Sequence, residues 1–332
     1  MNPPSSSEAA AEVGIFPREG LLSDGALAQP LHLAVGMFDG VHIGHQAVIR
    51  QAIDAAWAGE GHLSGVLTFD PHPSRVLYPD MATSLLMPLR QRIRDIHALE
   101  ADFVFLQNFT KSYAVRKAAE FVPFLKTLFP GLLSLHVGEN FRFGEGRRGN
   151  IETLRETCKA TGIELQALKR EIMDGLAISS SRIRAALMEG SIHEVNAMLG
   201  HPYTASGRII RGKGLGREIG FPTLNVAWHP EVLPRFGVYR VNLRREGGGA
   251  TLPGIANYGL RPTVGVTPDP LLEVHLLDGN DIPSERDPVK VELVKFIRPE
   301  KTFDSVEALR GQIGLDVERV RRDIGPGYGA PR

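Results

Sequence analysis

The stretch Leu31-His32-Leu33-Ala34-Val35-Gly36-Met37-Phe38-Asp39-Gly40-Val41-His42-Ile43-Gly44-His45 decides how this chain folds. Its first five residues are a short, mostly apolar run that reads as a buried strand; glycines end it, and helical spacing follows over residues 46–58. A strand, a glycine-rich turn and a helix in that order open a parallel α/β unit. At such a turn, free backbone N–H groups and the positive end of the helix dipole favour an anion, and glycines let the backbone approach it closely. His42 and His45, bracketing Gly44, can donate hydrogen bonds to oxygens that gain charge when a nucleotide α-phosphate is attacked and pyrophosphate leaves. The ligand implied is a phosphate. A His-x-x-His on its own is more often a pair of surface or core histidines, and its place between a strand and a helix is what favours a site.

Working outward, residues 65–69, 102–106, 132–137 and 163–168 read as further strands, separated by helical stretches at 46–58, 89–99, 114–128 and 151–161. This alternation predicts a parallel sheet with helices on its faces. Two more helices follow near 180–188 and 192–199, and Gly200-His201-Pro202 breaks the pattern. Beyond it, 205–210, 237–243, 271–277 and 289–297 read as strands punctuated by Gly and Pro, with 303–324 as one closing helix. The fold class is α/β: a Rossmann-like parallel-sheet domain over 31–200, then a small β-barrel with a closing helix over 201–332. Residues 1–30 show no periodicity and read as a loose arm, so order is expected to begin at Leu31.

Composition narrows the function classes. Of 332 residues, 42% are apolar and 23% charged, and 38 basic residues balance 38 acidic ones, so no long-range field draws the chain to nucleic acid or to an anionic membrane. Cys158 is the single cysteine, which excludes an internal disulfide or a thiolate metal cluster and fits a reducing, cytoplasmic compartment. The first eleven residues lack a basic segment and an apolar stretch of signal-peptide length, and no run approaches the length of a membrane span, so neither export nor insertion is expected. No fixed-period repeat and no protein partner is evident.

Further motifs appear in order: Phe69-Asp70-Pro71-His72-Pro73, then Gly138-Glu139-Asn140-Phe141-Arg142-Phe143-Gly144, then Arg147 with Gly149, then Ile178-Ser179-Ser180-Ser181-Arg182-Ile183-Arg184. With the histidine decapeptide they resemble the bacterial bifunctional riboflavin kinase/FMN adenylyltransferases, or FAD synthetases, and the match spans essentially residues 31–324. The resemblance implies a nucleotidyltransferase domain in which Gly36, Phe38, Asp39 and Gly44 shape an ATP site and His42 and His45 contact its phosphates. It also implies that Ser180, Ser181 and Arg184 close over the triphosphate, where helix-start hydroxyls and an arginine fork suit an anion. Asn140, Arg142, Phe143 and Arg147 are the implied flavin residues: Phe141 or Phe143 can stack on a flat ring, and Arg142 or Arg147 can neutralise the FMN phosphate. This chain departs from the family pattern at Asn140, often Asp, at Met37, where a small or polar residue is common, and at Ser181, more commonly Thr.

In the second half, residues 207–214 nearly spell a Walker A loop, but Gly214 stands where Ser or Thr is required and no helix is read after it, so the P-loop reading fails. The longer segment Gly212-Lys213-Gly214-Leu215-Gly216-Arg217-Glu218-Ile219-Gly220-Phe221-Pro222-Thr223-Leu224-Asn225 resembles the riboflavin kinase region in which a glycine-rich flap precedes a Pro-Thr-x-Asn strand. That implies phosphate binding by Gly212, Lys213, Gly214 and Gly216. Thr223 and Asn225, two apart on a strand, share a face and can offer a hydroxyl and an amide oxygen to Mg²⁺. Gly254-Ile255-Ala256-Asn257-Tyr258-Gly259-Leu260-Arg261-Pro262-Thr263 and Leu272-Glu273-Val274-His275-Leu276-Leu277-Asp278 also resemble the kinase module. By that match Glu273 is the base that accepts the ribityl 5′-hydroxyl proton. Alternation alone makes Glu273 and His275 a solvent face opposite Val274 and Leu276.

After Asp278 the family usually continues with an aromatic residue and Leu-Tyr-Gly, whereas residues 279–285 read Gly-Asn-Asp-Ile-Pro-Ser-Glu, a change that weakens the flavin side of the kinase. The reading implied is two-step FAD synthesis, with riboflavin, FMN and ATP as substrates, Mg²⁺ as cofactor, FMN as intermediate and FAD as product. Two rivals stay open: an adenylyltransferase whose kinase has degenerated, and a flavin- or nucleotide-sensing protein without turnover.

Overall fold

The computed structural model describes residues 13–21, 25–212, 214–260, 270–277 and 282–325. It divides into two compact units, Met1–Ser180 and Ser181–Arg332.

In the first unit, β1 (Val13–Pro17), β2 (Leu31–Val35), β3 (Leu63–Asp70), β4 (Phe103–Asn108), β5 (Leu132–Gly138) and β6 (Glu164–Leu168) form one sheet in the order β1-β4-β3-β2-β5-β6. Helices α1 (Ile43–Trp57), α2 (Pro73–Leu77), α3 (Leu89–His97), α4 (Lys111–Ala114), α5 (Ala118–Leu128) and α6 (Ile151–Thr161) connect the strands, and a hairpin of β7 (Ile172–Met173) and β8 (Leu176–Ala177) follows β6. Strands β2 to β6 are parallel, as expected. Every residue of β2 is buried because both sheet faces are covered. Leu31, Leu33 and Val35 pack with Phe103, Phe105, Phe121, Leu125 and Leu154. Ala34, on the opposite face, packs with Val48, Ile49 and Ile96.

Strand order reverses between β2 and β5, which are adjacent although two strands, β3 and β4, separate them in sequence. Ligands of open α/β sheets bind beyond the carboxyl ends of the strands at such a switch point. The histidine loop leaves β2 there, and the Gly138–Gly144 loop leaves β5 beside it.

Three expectations need correction here. Order does not begin at Leu31: β1 pairs antiparallel with β4, Val13 opposite Gln107 and Pro17 opposite Phe103, and Arg18 ion-pairs with Asp102 at 3.0 Å. Five residues that include a Gly and a Pro carry too little alternation to read as a strand. The helix expected at 114–128 is two, because Thr110 caps α4 through the Tyr113 N–H while the Glu120 carboxylate returns to the Lys117 N–H to start α5. Helix α1 starts at Ile43 rather than Gln46, with His42 as its cap.

The second unit holds α7 (Ser180–Glu189) from its second residue, α8 (Ile192–Leu199), β9 (Tyr203–Ile210), α9 (Leu215–Glu218), β10 (Leu224–Ala227), β11 (Gly237–Arg245), β12 (Leu252–Leu260), β13 (Pro270–Leu276), β14 (Pro288–Pro299) and α10 (Val306–Ile324). Six strands close into an antiparallel barrel, β10-β13-β12-β11-β14-β9. Helix α8 is bound into this unit: the Asn196 amide donates to the Leu293 carbonyl at 2.9 Å and accepts from the Tyr203 N–H at 2.8 Å. Helix α10 begins at Val306 rather than 303 because Ser305 caps it, accepting from the Ala308 N–H. It lays Val317 and Val320 over Val238, Ile255 and Ile297 on the barrel's outer surface.

Strand β12 was not among the expected strands. Its glycines obscure the pattern, and each sits where a neighbour comes close: a Cβ at Gly254 would lie 2.8 Å from the His275 carbonyl. A one-turn helix, α9, does follow the near-Walker sequence; without the Ser or Thr, the P-loop reading still fails.

Candidate active sites

In the first unit the histidine loop is held by its carbonyls. Met37 O accepts from the Thr68 hydroxyl and from the Arg92 guanidinium, each at 3.0 Å, Val41 O from the Gln46 amide at 2.9 Å, and Asp39 O from the Ser180 hydroxyl at 2.9 Å. The Asp39 carboxylate, 2% exposed, accepts from the Leu86 N–H. Phe38 takes a positive φ of 51° that buries its ring, and a Cβ at Gly36 would touch that ring at 3.0 Å. Loop carbonyls spent on protein donors leave the helix-start N–H groups as the polar face offered to a ligand.

His42 caps α1, its Nδ1 accepting from the His45 N–H at 3.2 Å. A backbone N–H can only donate, so Nδ1 carries a lone pair and the neutral ring keeps its proton on Nε2 as a donor. The two imidazoles stack at 3.5 Å between centroids, and Phe38 meets His45 edge-on at 5.4 Å. Gly44 permits this: a Cβ there would press on the His42 ring at 3.3 Å. Burial pushes His42 down to about 4. It pushes His45 well below its ordinary value too, aided by the like charges of His42 and Arg92. The pair is therefore neutral at pH 7 and donates without carrying charge. Among the described residues, the Nδ1 of His45 is sealed from solvent with no hydrogen-bond partner.

Of the other expected residues, Ser180 reaches the loop through Asp39 O. Ser181, exposed, and Arg184, half-buried, lie in the opening turns of α7 in the second unit. Asn140, Arg142 and Arg147 are exposed on the segment after β5. Phe143 is buried in the core, 4.9 Å from Phe121 and stacked on Phe141 at 5.5 Å, with Gly149 against its ring. Its ring is a wall of the first unit, and Phe141, half-buried, is the more accessible of the two. Arg92, Thr68 and Gln46 went unread in the sequence. In Leu-Arg-Gln-Arg-Ile-Arg-Asp-Ile-His an arginine looks like one more solvated helix charge, and no local signal marks it as buried.

In the second unit, Asn225 of β10, Glu273 of β13 and Asn257 of β12 sit directly opposite one another across three strands. Cross-strand partners point to the same face, so the carboxylate expected as a base lies between two amides on the barrel's outer surface. Neighbouring Leu272 and Val274 are fully buried on the other face. Asn257 donates to Glu300 at 3.4 Å, a contact absent from the sequence reading. Thr223 is exposed just before β10 while Asn225 is 5% exposed, so the two differ in burial though they share a side. The flap returns over them: a Cβ at Gly212 would lie 2.1 Å from the Asn225 amide, and one at Gly216 would lie 3.1 Å from Thr223 Oγ1. His275 Nδ1 bonds the Pro222 carbonyl at 2.9 Å and its ring meets Phe221 edge-on, fastening the flap's exit to β13. Gly214 is exposed with a φ of 82°, a conformation natural to glycine. Lys213, Asp278 and residues 279–281 of the atypical segment lie outside the described residues.

A hydroxyl, an amide oxygen and a carboxylate within one patch form a hard-oxygen set suited to Mg²⁺, which keeps water and phosphate oxygens for its remaining positions. Glycines whose Cβ space is already filled leave the flap backbone no room for side chains.

Comparison with known proteins agrees with this geometry. A family model described as FAD synthetase matches residues 26–182, and one described as riboflavin kinase matches 199–324. The bifunctional riboflavin kinase/FMN adenylyltransferase of Escherichia coli K12 is 36% identical, over 88% of this chain and 92% of that protein. The protein so named in Haemophilus influenzae is 36% identical over 91% and 97%, and that of Bacillus subtilis 34% over 87% and 91%. A crystal structure described as a macrolide-efflux protein from Streptococcus pneumoniae superposes with a TM-score of 0.79 at 26% identity, covering 92% of this chain and 97% of that one. Among the described residues, no helix is long and apolar enough to cross a membrane. With two family models in tandem, relatives matched over nearly their whole length and both site frameworks in place, the chain belongs to the bifunctional riboflavin kinase/FMN adenylyltransferases.

Proposed function

We propose that the chain makes FAD in two steps, each by its own half. Over 201–332, the riboflavin 5′-oxygen attacks the γ-phosphorus of ATP, its proton passes to Glu273, and ADP leaves with FMN formed. Over 31–200, an FMN phosphate oxygen attacks the α-phosphorus of a second ATP, and the bond to pyrophosphate breaks to give FAD. Neither step needs a covalent enzyme intermediate, since positioning and charge stabilisation suffice.

The single observation carrying this reading is the stacked, buried, neutral His42–His45 pair at the start of α1. The His42 Nε2–H and the helix-start amides donate to phosphate oxygens as negative charge shifts toward pyrophosphate, while Ser180, Ser181 and Arg184 bind the triphosphate. Asn140, Arg142 and Arg147 receive FMN, with Phe141 as the stacking ring and Phe143 behind it. In the kinase half, Gly212, Lys213, Gly214 and Gly216 wrap the ATP phosphates. Thr223 and Asn225 would hold Mg²⁺, which when bound offsets charge on the β- and γ-phosphates. Cys158, buried, with its thiol pushed up to about 11 by burial, is chemically quiet and suits the cytoplasm.

Chromatography of products from riboflavin, ATP and Mg²⁺ tests the reading. FMN that builds and then declines into FAD, with one ADP and one pyrophosphate per FAD, is expected. FAD made only from supplied FMN would leave an adenylyltransferase alone, and no product from either flavin would leave a sensor.

A further inference from the structure

The first unit buries an arginine that the two reactions do not use. Arg92 of α3 is 2% exposed, donating through one terminal nitrogen to Met37 O at 3.0 Å and through the other to Phe69 O at 3.1 Å. Met37 belongs to the histidine loop that leaves β2, and Phe69 lies at the carboxyl end of β3, where the Phe69-Asp70-Pro71-His72-Pro73 segment begins. One planar fork thus ties the exits of two adjacent parallel strands, at the edge where such sheets bind ligands. The nearby carboxylates of Asp39 and Asp70 offset its charge, and among the described residues its Nε is sealed from solvent with no hydrogen-bond partner. Burying a guanidinium is costly, and a Leu or Met there would pack α3 without it.

We propose that Arg92 is a positioning residue for adenylyl transfer: it fixes the histidine loop against the loop after β3 so that His42 and His45 face the ATP phosphates in one set geometry. The inference rests on the assignment of adenylyl transfer to the histidine loop. It adds a second effect through charge. A cation behind the pair opposes protonation of His45, so Arg92 holds the imidazoles in the neutral, donating form while positioning them. Of the other buried residues of α3, Gln91 is uncharged and Ile96 packs into the core.

The test compares Arg92→Lys, Arg92→Met and His45→Ala in the full-length protein, with riboflavin phosphorylation as the internal measure of intact protein. Arg92→Met is expected to lower kcat for FAD formation by about 100-fold, as loss of a preorganised donor geometry does, with KM for ATP changed less than about threefold. Its acid limb in the pH–rate profile should move to higher pH, because a proton then meets less repulsion at His45. Arg92→Lys keeps the charge without the two-carbonyl fork, so it should retain the wild-type acid limb and lose about tenfold in kcat. Histidine NMR titration of the same variants gives the protonation readout even where activity is too low to profile. Wild-type kcat in Arg92→Met while His45→Ala loses FAD formation would overturn the role of Arg92 and leave the histidine assignment standing. So would a lowered kcat with an unmoved acid limb and NMR titration. Retained FAD formation in His45→Ala would instead remove the assignment beneath it.

Discussion

On the proposed reading, the two halves hold ATP phosphates beside a flavin by opposite means. The first unit uses buried groups: His42, Asp39 and Arg92 are each at most 5% exposed, and loop carbonyls are tied to Thr68, Gln46, Arg92 and Ser180. The barrel uses its outer surface, where Thr223 is exposed, Glu273 half-buried and Asn225 buried, and glycines fold back over Thr223 and Asn225. A buried site costs desolvation in advance and is preorganised for the charge that develops in the transition state. A surface site is completed by what binds to it, metal and nucleotide included. The contrast predicts that the first half is sensitive to anything that charges or unpacks it, and the second to anything that weakens ligand capture.

The largest effects should come from a crossed pair of variants. His45→Ala is expected to cut FAD formation from FMN by about 10²–10³-fold while leaving riboflavin phosphorylation within about twofold. Glu273→Gln should do the reverse, cutting phosphorylation by about 10²-fold or more with adenylation of supplied FMN kept. Coupled losses in both assays would break the picture of two separate sites.

Acid should separate the halves next. Behind the first site a chain of hydrogen bonds runs through the sheet: His62 Nδ1 to His32 Nε2 at 3.0 Å, His32 Nδ1 to Ser134 Oγ at 2.7 Å, Ser134 Oγ to His136 Nε2 at 2.7 Å, and His136 Nδ1 to Gln51 Oε1 at 3.2 Å. The amide oxygen of Gln51 only accepts, which orders the protons when all three rings are neutral: His136 and His32 each donate through Nδ1 and accept at Nε2, and His62 donates through Nδ1. Burial pushes His136 down to about 4 and lowers His32, with His62 opposing a proton on His32 and Glu164 attracting one. The unfolded chain takes up protons below the ordinary value of 6.5 while the folded chain does not, so this stability is intact above pH 6.5 and is lost as pH falls toward 4. His136 alone accounts for about 3 kcal/mol by the lower end of that window. In the second unit none of the described histidines, His193, His201, His229 and His275, is buried. After incubation near pH 5 and return to pH 7, or in urea titrations at the two pH values, FAD formation should fail before riboflavin phosphorylation does. A His136→Leu variant should narrow the gap.

A smaller effect sharpens the barrel's side of the contrast. Asn225→Ala removes one ligand-side amide from beneath Gly212, and about a tenfold higher Mg²⁺ requirement for phosphorylation is expected, as for one lost polar contact to a charged group. FAD formation from FMN should keep its own Mg²⁺ dependence. A shift in both would show that Asn225 supports the fold rather than the metal.

What the sequence revealed follows from which interactions are local. The β2–α1 junction was readable because strand, glycines and capping histidines are adjacent, and the parallel strands because burial on both faces makes them continuously apolar. Glu273 was readable only by resemblance; its place between Asn225 and Asn257 is a register fact that no single strand encodes. Arg92 was unreadable for the same reason: its partners are 55 and 23 residues away, and burial of a charged residue is decided by carbonyls brought from other elements. Strand β1 owes its existence to the open edge of β4 rather than to its own five residues.

The smallest effect concerns Asn140, where the family resemblance leads one to expect Asp. Asn140 is exposed and shares its segment with Arg142, Arg147 and Arg148, also exposed. If those arginines meet the FMN phosphate as proposed, Asn140→Asp adds a charge that competes with the phosphate for them. Exposed pairs are worth at most about 1 kcal/mol and are screened by salt. KM for FMN should therefore rise by about threefold or less at low ionic strength and return to the wild-type value near 1 M salt, with kcat unchanged. A tenfold change that survives high salt would mean that residue 140 touches the flavin itself, through a hydrogen bond that water and counterions do not reach. The first site would then extend onto its exposed rim, and the difference in burial between the two halves would be one of degree.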